Sequence, residues 1–385
     1  MAQLSPIEAA LAAKNVYDII DSSNVARYFH SSLTDNFQLD AASRFEGKAG
    51  AFIFKYRSGF GVIAKGKGKF EGEALLSIRG TDDLFRDLIL TDLNIGIQTS
   101  STGKQVHQGF NKVFKSFEAD ISRFFHGFNP ARVHCVGHSL GGALATMAAD
   151  WIRHRNIAQT NLYTFGSPRV GGLQFAQSVT QQVKPENIFR AYHKTDVVSM
   201  IPLWPFTHVP QPGTECFIDS PGVPWITYHK MEKYIESVQS SKEWDNLRVK
   251  QPAMDWDAQV DSWLGSSSPL QFAMNTVTMI QTAIMYVLKK IMQAVGIGFQ
   301  AGLSTGLTLL DRMAMVMAKG AQASKEIGGM VMSLLQRIMS LIGGVVSKVK
   351  EITFDFIRWV LVRLTQALYQ LASRAIEAVH KVTPV

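Results

Sequence analysis

Short apolar runs alternate with amphipathic stretches through the first two-thirds of the chain. Apolar and β-branched runs at 51–56, 59–64 and 73–79 predict strands, with the turn Gly66-Lys67-Gly68 between the last two. Further on, an apolar run at 132–136 predicts a strand and the Ala-rich stretch 140–153 a helix. A strand at 161–165, a helix at 173–179 and a strand at 187–192 follow. Ahead of them all, Ser5-Pro6-Ile7-Glu8 reads as a helix start, with Ser as N-cap, Pro in the first position and Glu in the first turn. That helix is expected to run to about Tyr28. Strand–helix alternation of this kind implies a largely parallel sheet covered by helices on both faces.

Beyond residue 269 the pattern changes. The stretches 270–288 and 291–310 contain no charged residue and are separated by Lys289-Lys290. Each approaches the roughly 20 residues that cross a bilayer, but Gln, Thr, Asn, Gly and Ser dilute both. Lys348, Glu351, Asp355, Arg358, Gln366, Gln370, Arg374, Glu377 and Lys381 then recur at three- and four-residue steps, broken at Val362. This is a long helix with a narrow polar stripe and a wide apolar face. The Ser-rich 265–269 has a linker composition. The chain of 385 residues therefore divides into an α/β module (1–264), a linker (265–269) and an all-helical module (270–385).

Charge sharpens the division. The net charge is +8, and residues 270–385 carry twelve Lys or Arg against five Asp or Glu, together with ten of the fifteen Met. Three readings of this basic, Met-rich module stand side by side. It is a bundle packed on the first module, a set of helices lying in or inserting into an anionic membrane surface, or a surface for an accessory or immunity protein or for self-association. A nucleic-acid role is excluded, because the cations are sparse and interrupted by apolar runs. Cys135 and Cys216 form neither a disulfide framework nor a metal motif. Residues 1–20 lack a basic start followed by an apolar core, so the expectation is cytoplasmic synthesis without a Sec signal and export by another route.

The chemistry is concentrated at Gly137-His138-Ser139-Leu140-Gly141, a G-x-S-x-G motif between a strand and a helix. Such a turn is so sharp that small neighbours are needed beside the serine, which is presented at a helix N-terminus. A serine hydroxyl needs a base, and the base needs an acid to orient it. On this scaffold the acid and then the base follow in the chain. Asp196 lies just past the strand 187–192, and three histidines remain after it: His208, His229 and His380. His380 lies in the basic tail. His229, which opens the helical run 230–238, is favoured as base, with His208 as a structural neighbour.

These motifs resemble the class 3 lipase family, the fungal-type serine lipases and phospholipases of the α/β-hydrolase fold. The resemblance rests on Ile78-Arg-Gly-Thr81, Val106-His-Gln-Gly-Phe110, Val136-Gly-His-Ser-Leu-Gly-Gly-Ala-Leu-Ala145, Tyr163-Thr-Phe-Gly-Ser-Pro-Arg-Val-Gly171, and Asp196 with Ile201-Pro202 behind it. It spans residues 59–238. It implies Ser139 as nucleophile, Asp196 as acid, His229 as base, and Thr81 with the backbone N–H of Leu140 as oxyanion hole. One departure is that Tyr234 follows His229 by five positions, where the family usually has an aromatic residue at three.

Thr81 also fits on physical grounds, since it follows an apolar strand and offers both an N–H and a hydroxyl to a developing oxyanion. Residues 82–93 alternate acids with apolar side chains. Leu84 and Phe85 fall on a helical face that suits either a lid contacting substrate or a core helix. Trp204 and Phe206, between the acid and His229, are candidates for lining the acyl groove. The expected activity is hydrolysis of carboxylic esters in membrane lipids, specifically by a phospholipase A1, without metal or cofactor, in an exported bacterial effector. Two alternatives are a triacylglycerol lipase and a membrane-perturbing or scaffold protein whose helical module does the work.

Overall fold

The computed structural model describes residues 2–19, 24–49, 56–80, 96–211, 215–220, 227–248, 256–270, 272, 274–295, 308–344 and 351–380. Backbone contacts group the chain into two compact units. One comprises Met1–Thr91, Gln98–Lys250 and Ala372–Val385, the other Asp92–Ile97 and Gln251–Leu371.

The first unit is built on a seven-stranded sheet. Its strands are β1 (Arg44–Ala49), β2 (Tyr56–Lys65), β3 (Glu73–Ile78), β6 (Arg132–His138), β7 (Gln159–Phe165), β9 (Ile188–His193) and β11 (Cys216–Ile218), in that spatial order. The pairs β1/β2 and β2/β3 are antiparallel, and every later pair is parallel. The parallel pairs β3/β6, β6/β7 and β7/β9 follow from the helices that cross between them: α3 (Gln108–His126), α4 (Leu140–His154) and α5 (Leu173–Val183). A smaller sheet orders β10 (Phe206–Thr207), β8 (Gly171–Gly172), β5 (Gln105–His107) and β4 (Ile97–Thr99).

Helix α1 (Pro6–Asn15) starts as the sequence reading expects, with a reciprocal Ser5/Glu8 capping box, but it stops far short of Tyr28. Asn15-Val16-Tyr17-Asp18-Ile19 is a run of weak helix formers, and two 3₁₀ segments, Val16–Asp18 and Val25–Tyr28, follow. A four-residue helix α2 (Ser31–Thr34) comes later. Strand β1 escaped the sequence reading because Arg44-Phe-Glu-Gly-Lys-Ala49 is an edge strand with little apolar alternation. Of the strand expected at 51–56, residues 51–55 lie outside the described residues.

Alternate residues of the sheet (Val136, Tyr163, Phe165, Phe189 and Ala191) share one core with Leu4, Ala9 and Ala13, and with Met231 and Tyr234 of α6 (Met231–Val238). Buried polar atoms within this core find partners. The Leu4 N–H donates to the Tyr163 hydroxyl at 3.1 Å, and the Leu4 carbonyl accepts from the Trp244 indole at 2.8 Å. Lys14 of α1 pairs with Glu232 of α6 at 2.6 Å.

The second unit is helical. Its described helices are α7 (Trp256–Gly265), α8 (Met274–Val295), α9 (Leu309–Ala323), α10 (Lys325–Leu341) and the greater part of α11 (Phe354–His380). Helix α8 continues through Lys289-Lys290, both good helix formers. Lys289 meets Asp257 at 3.5 Å, and the Lys290 ammonium lies 5.2 Å from the Tyr286 ring. The contact grouping divides the chain between Lys250 and Gln251, so α7 belongs with the helices that follow it. The stretch read as a linker is held by Arg337, whose guanidinium donates to the carbonyls of Ser266 and Ser268 at 3.0 and 2.7 Å. Among the described residues, no helix is long and apolar enough to cross a membrane.

Candidate active site

Strand β6 ends at His138, and the chain reverses at Ser139 with φ +56° and ψ −131° to enter α4. A side chain at positive φ of this kind costs on the order of 1–3 kcal/mol and persists only where neighbours enforce it. Here the enforcement is steric. A Cβ at Gly137 would lie 2.2 Å from the Gly141 carbonyl oxygen, and one at Gly141 would lie 2.2 Å from that of Ile78. The Ser139 N–H donates to the Phe165 carbonyl at 3.0 Å, which fixes the turn against β7.

The ends of two further parallel strands supply the partners. Asp196 follows β9, and His229 closes the 3₁₀ turn Thr227–His229, after β11 and ahead of α6. His229 Nε2 lies 3.0 Å from Ser139 Oγ, and its Nδ1 lies 2.9 Å from Asp196 Oδ2. A carboxylate can only accept, so Nδ1 carries the proton and Nε2 offers its lone pair to the serine hydroxyl. Asp196 and His229 are fully buried and Ser139 is 5% exposed.

The carboxylate of Asp196 is itself held on both oxygens. Its Oδ1 accepts the Val198 N–H at 3.0 Å, and its Oδ2 also accepts the Tyr234 hydroxyl at 2.6 Å. Burial first, then the Asp196 charge, pushes the Tyr234 phenol well above its ordinary range, so it stays a donor. Gly166 at φ +54° makes room for this arrangement, because a Cβ there would stand 2.4 Å from Asp196 Oδ2. Leu140 is the first residue of α4, where no side chain caps the free N–H groups. Its amide therefore belongs to the set of donors beside Ser139. The other sequence candidates for the oxyanion hole and the lid, Thr81, Leu84 and Phe85, lie outside the described residues.

His208 lies apart from this chain of hydrogen bonds. Its Nε2 is 2.8 Å from an Arg190 guanidinium nitrogen, which can only donate, so His208 accepts there. Burial, with Arg190 and Arg169 adding to it, holds its imidazole well below the usual range and keeps it neutral. Arg169 donates to the carbonyls of Met200 and Pro202, fixing the loop after Asp196. On that loop Trp204 is half-buried. Phe206 is buried in β10 with its ring centre 5.5 Å from that of His107. A cavity of about 680 Å³ along β1 and α3, lined by Phe45, Ile63, Asp120 and Arg123 among others, contains none of the three linked residues. Among the described residues, no cluster of His, Cys, Asp or Glu could hold a metal ion.

A serine on a strained strand-to-helix turn, hydrogen-bonded to an imidazole and carboxylate that follow later strands of a mostly parallel sheet, fits the α/β-hydrolase fold. Within that fold, residues 75–206 match the family model "Lipase (class 3)". Curated relatives include a secreted mono- and diacylglycerol lipase 1 from Fusarium solani, 38% identical over 136 residues (34% of this chain and 39% of the relative). Another is phospholipase A1-II 1 from Oryza sativa subsp. japonica, 36% identical over 114 residues (27% and 28%). The chain thus spans about two-fifths or less of the length of these relatives. Among solved structures, Lip2 lipase from Yarrowia lipolytica is similar with a TM-score of 0.43 and 21% identity, covering 57% of this chain and 80% of that one.

Proposed function

We propose that the protein hydrolyses carboxylic esters of membrane lipids through Ser139, as a phospholipase A1. The observation that carries this reading is the continuous Ser139–His229–Asp196 hydrogen-bond chain at 3.0 and 2.9 Å on a strained elbow. In this mechanism the Ser139 hydroxyl attacks the ester carbonyl as His229 Nε2 takes its proton. Asp196 stabilises the imidazolium, while the Leu140 N–H and Thr81 hold the oxyanion. Collapse of the intermediate expels the alcohol, protonated by His229, and leaves an acyl-Ser139 ester. Water, deprotonated in turn by His229, releases the fatty acid and restores the hydroxyl. Product analysis of mixed phospholipid and triglyceride, with wild type and Ser139→Ala, tests the reading. Lysophospholipid and free fatty acid lost with Ser139 support it. Products from triglyceride or partial glycerides alone favour a neutral-lipid lipase, the reading that the Fusarium solani relative's name suggests.

The Tyr234 hydroxyl keeps the acid aligned, so Tyr234→Phe should lower kcat about tenfold, the order expected for losing one hydrogen bond to a charge. KM should stay near wild type; steady-state kinetics on a short soluble ester checks both.

The helical unit supports an encounter with anionic lipid. Trp359 on α11 is 44% exposed, stacks on Phe356 at 6.2 Å and lies 5.7 Å beneath the Arg363 guanidinium; Met285 and Met315 are also exposed. Indole and guanidinium together suit the headgroup level of a membrane. In the full chain, Trp359→Ser with Arg363→Ser should weaken hydrolysis of anionic vesicles several-fold and leave a soluble ester untouched. The vesicle advantage of wild type should shrink with salt, as cations are screened over about 8–10 Å. Equal loss on both substrates would defeat the membrane encounter.

A further inference from the structure

Two histidines outside the proposed triad converge on the segment that bears His229. The backbone carbonyl of His229 lies 2.7 Å from His138 Nε2, and the preceding carbonyl, Tyr228, lies 2.7 Å from His193 Nδ1. A carbonyl oxygen only accepts, so each of these ring nitrogens carries a proton. The opposite nitrogens are also occupied: His138 Nδ1 faces the Tyr17 hydroxyl at 2.8 Å, and His193 Nε2 faces Ser237 Oγ at 2.9 Å.

We propose that His138 and His193 form a clamp on the consecutive carbonyls of Tyr228 and His229, positioning the base against Ser139, and that Tyr17 fixes the orientation of His138 from the 3₁₀ turn after α1. The inference rests on the reading of His229 as the base. His138 adjoins Ser139 in sequence and its ring centre is 4.6 Å from that of His229, so one side chain relates nucleophile and base directly. His193 ends β9, three residues before Asp196, and relates the acid's strand to the same segment. Its backbone N–H donates to the Tyr234 hydroxyl at 3.2 Å, the group that also holds Asp196.

The clamp works while both rings are neutral. A second imidazolium beside His229 would oppose the charge that develops there in the transition state. Burial holds the His193 imidazole below its ordinary value, which keeps it uncharged. For His138, a Tyr17 hydroxyl donating to Nδ1 occupies the lone pair that a second proton would take. Tyr17 is confined in turn, since a Cβ on Gly80 would lie 2.5 Å from its hydroxyl oxygen.

The test separates positioning from packing. His138→Gln places an amide donor where Nε2–H stood, and His193→Asn does so for Nδ1–H; the Leu variants fill the space without a donor. On a soluble ester, His138→Leu and His193→Leu should lower kcat about 100-fold, the loss expected from a misplacement near 1 Å, with KM nearly constant. The amide variants should recover to within about tenfold of wild type, and Tyr17→Phe should fall between. Thermal melts identify any variant that fails to fold, in which case Tyr17→Phe and the amide variants decide alone. Amide and Leu variants of equal activity, or folded Leu variants within threefold of wild type, would overturn the clamp. Labelling of Ser139 by a fluorophosphonate separates the two levels. An unlabelled wild type removes the serine reading and the clamp with it, whereas a labelled wild type with indifferent variants removes the clamp alone.

Discussion

Ser139→Ala is expected to remove ester hydrolysis to the limit of detection, a loss on the order of 10⁴-fold or more. Without the hydroxyl no acyl-enzyme forms, and nothing else in the hydrogen-bonded chain is a nucleophile placed to replace it. The variant should also fold well. Alanine is no larger than serine, and the strain at φ +56° belongs to the backbone turn that Gly137 and Gly141 enforce. Burst kinetics with a chromogenic ester gives the readout, with a thermal melt alongside. Residual turnover within tenfold of wild type, in a protein that melts like wild type, would sink the assignment.

The histidines give the second large effect. His229→Ala should lower kcat by several orders of magnitude, since it removes both the proton acceptor for Ser139 and the donor to the leaving alcohol. His208→Ala should cost far less, because that ring accepts from Arg190 and makes no contact in the serine chain. Its loss strips a partner from a buried guanidinium and should appear chiefly as a lower Tm, worth about 1–3 kcal/mol. Kinetics and melts on both variants give four numbers. The reverse ranking in kcat would move the base to His208 and end the proposal for His229.

Much of this arrangement was legible in the sequence because it depends on local constraints. Gly137 and Gly141 flank Ser139 since no Cβ fits there, and the same exclusion is visible as a motif between an apolar strand and an Ala-rich helix. Asp196 could be found because acids at strand ends of an open sheet stand out once the alternation is read. The parallel order of β3, β6, β7 and β9 follows from their intervening helices. What stayed hidden depends on distant pairs. Tyr17 and His138 are 121 residues apart, and Tyr234 and Asp196 are 38 apart. No period or spacing announces that a tyrosine after α1 will meet the residue before the serine. The early end of α1 belongs to the same class, since a weak propensity run decides it. Strand β1 was missed because an edge strand need not look apolar. Of the helical module's polar stripe, Glu351, Asp355, Arg358, Gln370 and Arg374 are exposed, whereas Gln366 and Glu377 are half-buried. The half-buried Val362 fits its break, whereas the exposure of Trp359 had no signal in the pattern.

The two bonds of Leu4 set a timetable for the growing chain. Its amide awaits Tyr163, 159 residues later, and its carbonyl awaits Trp244, 240 residues later. At a synthesis rate of about 5–20 residues per second, Trp244 emerges roughly 10–50 s after Leu4. Through that interval the apolar face of α1, carrying Ala9, Ala12 and Ala13, has no completed core to enter. A chain whose first helix is matched so late has high contact order and must close long loops before those contacts repay the entropy. The core around α1 therefore cannot close before residue 244 is made, and the nascent helix is the segment a ribosome-associated chaperone would find exposed.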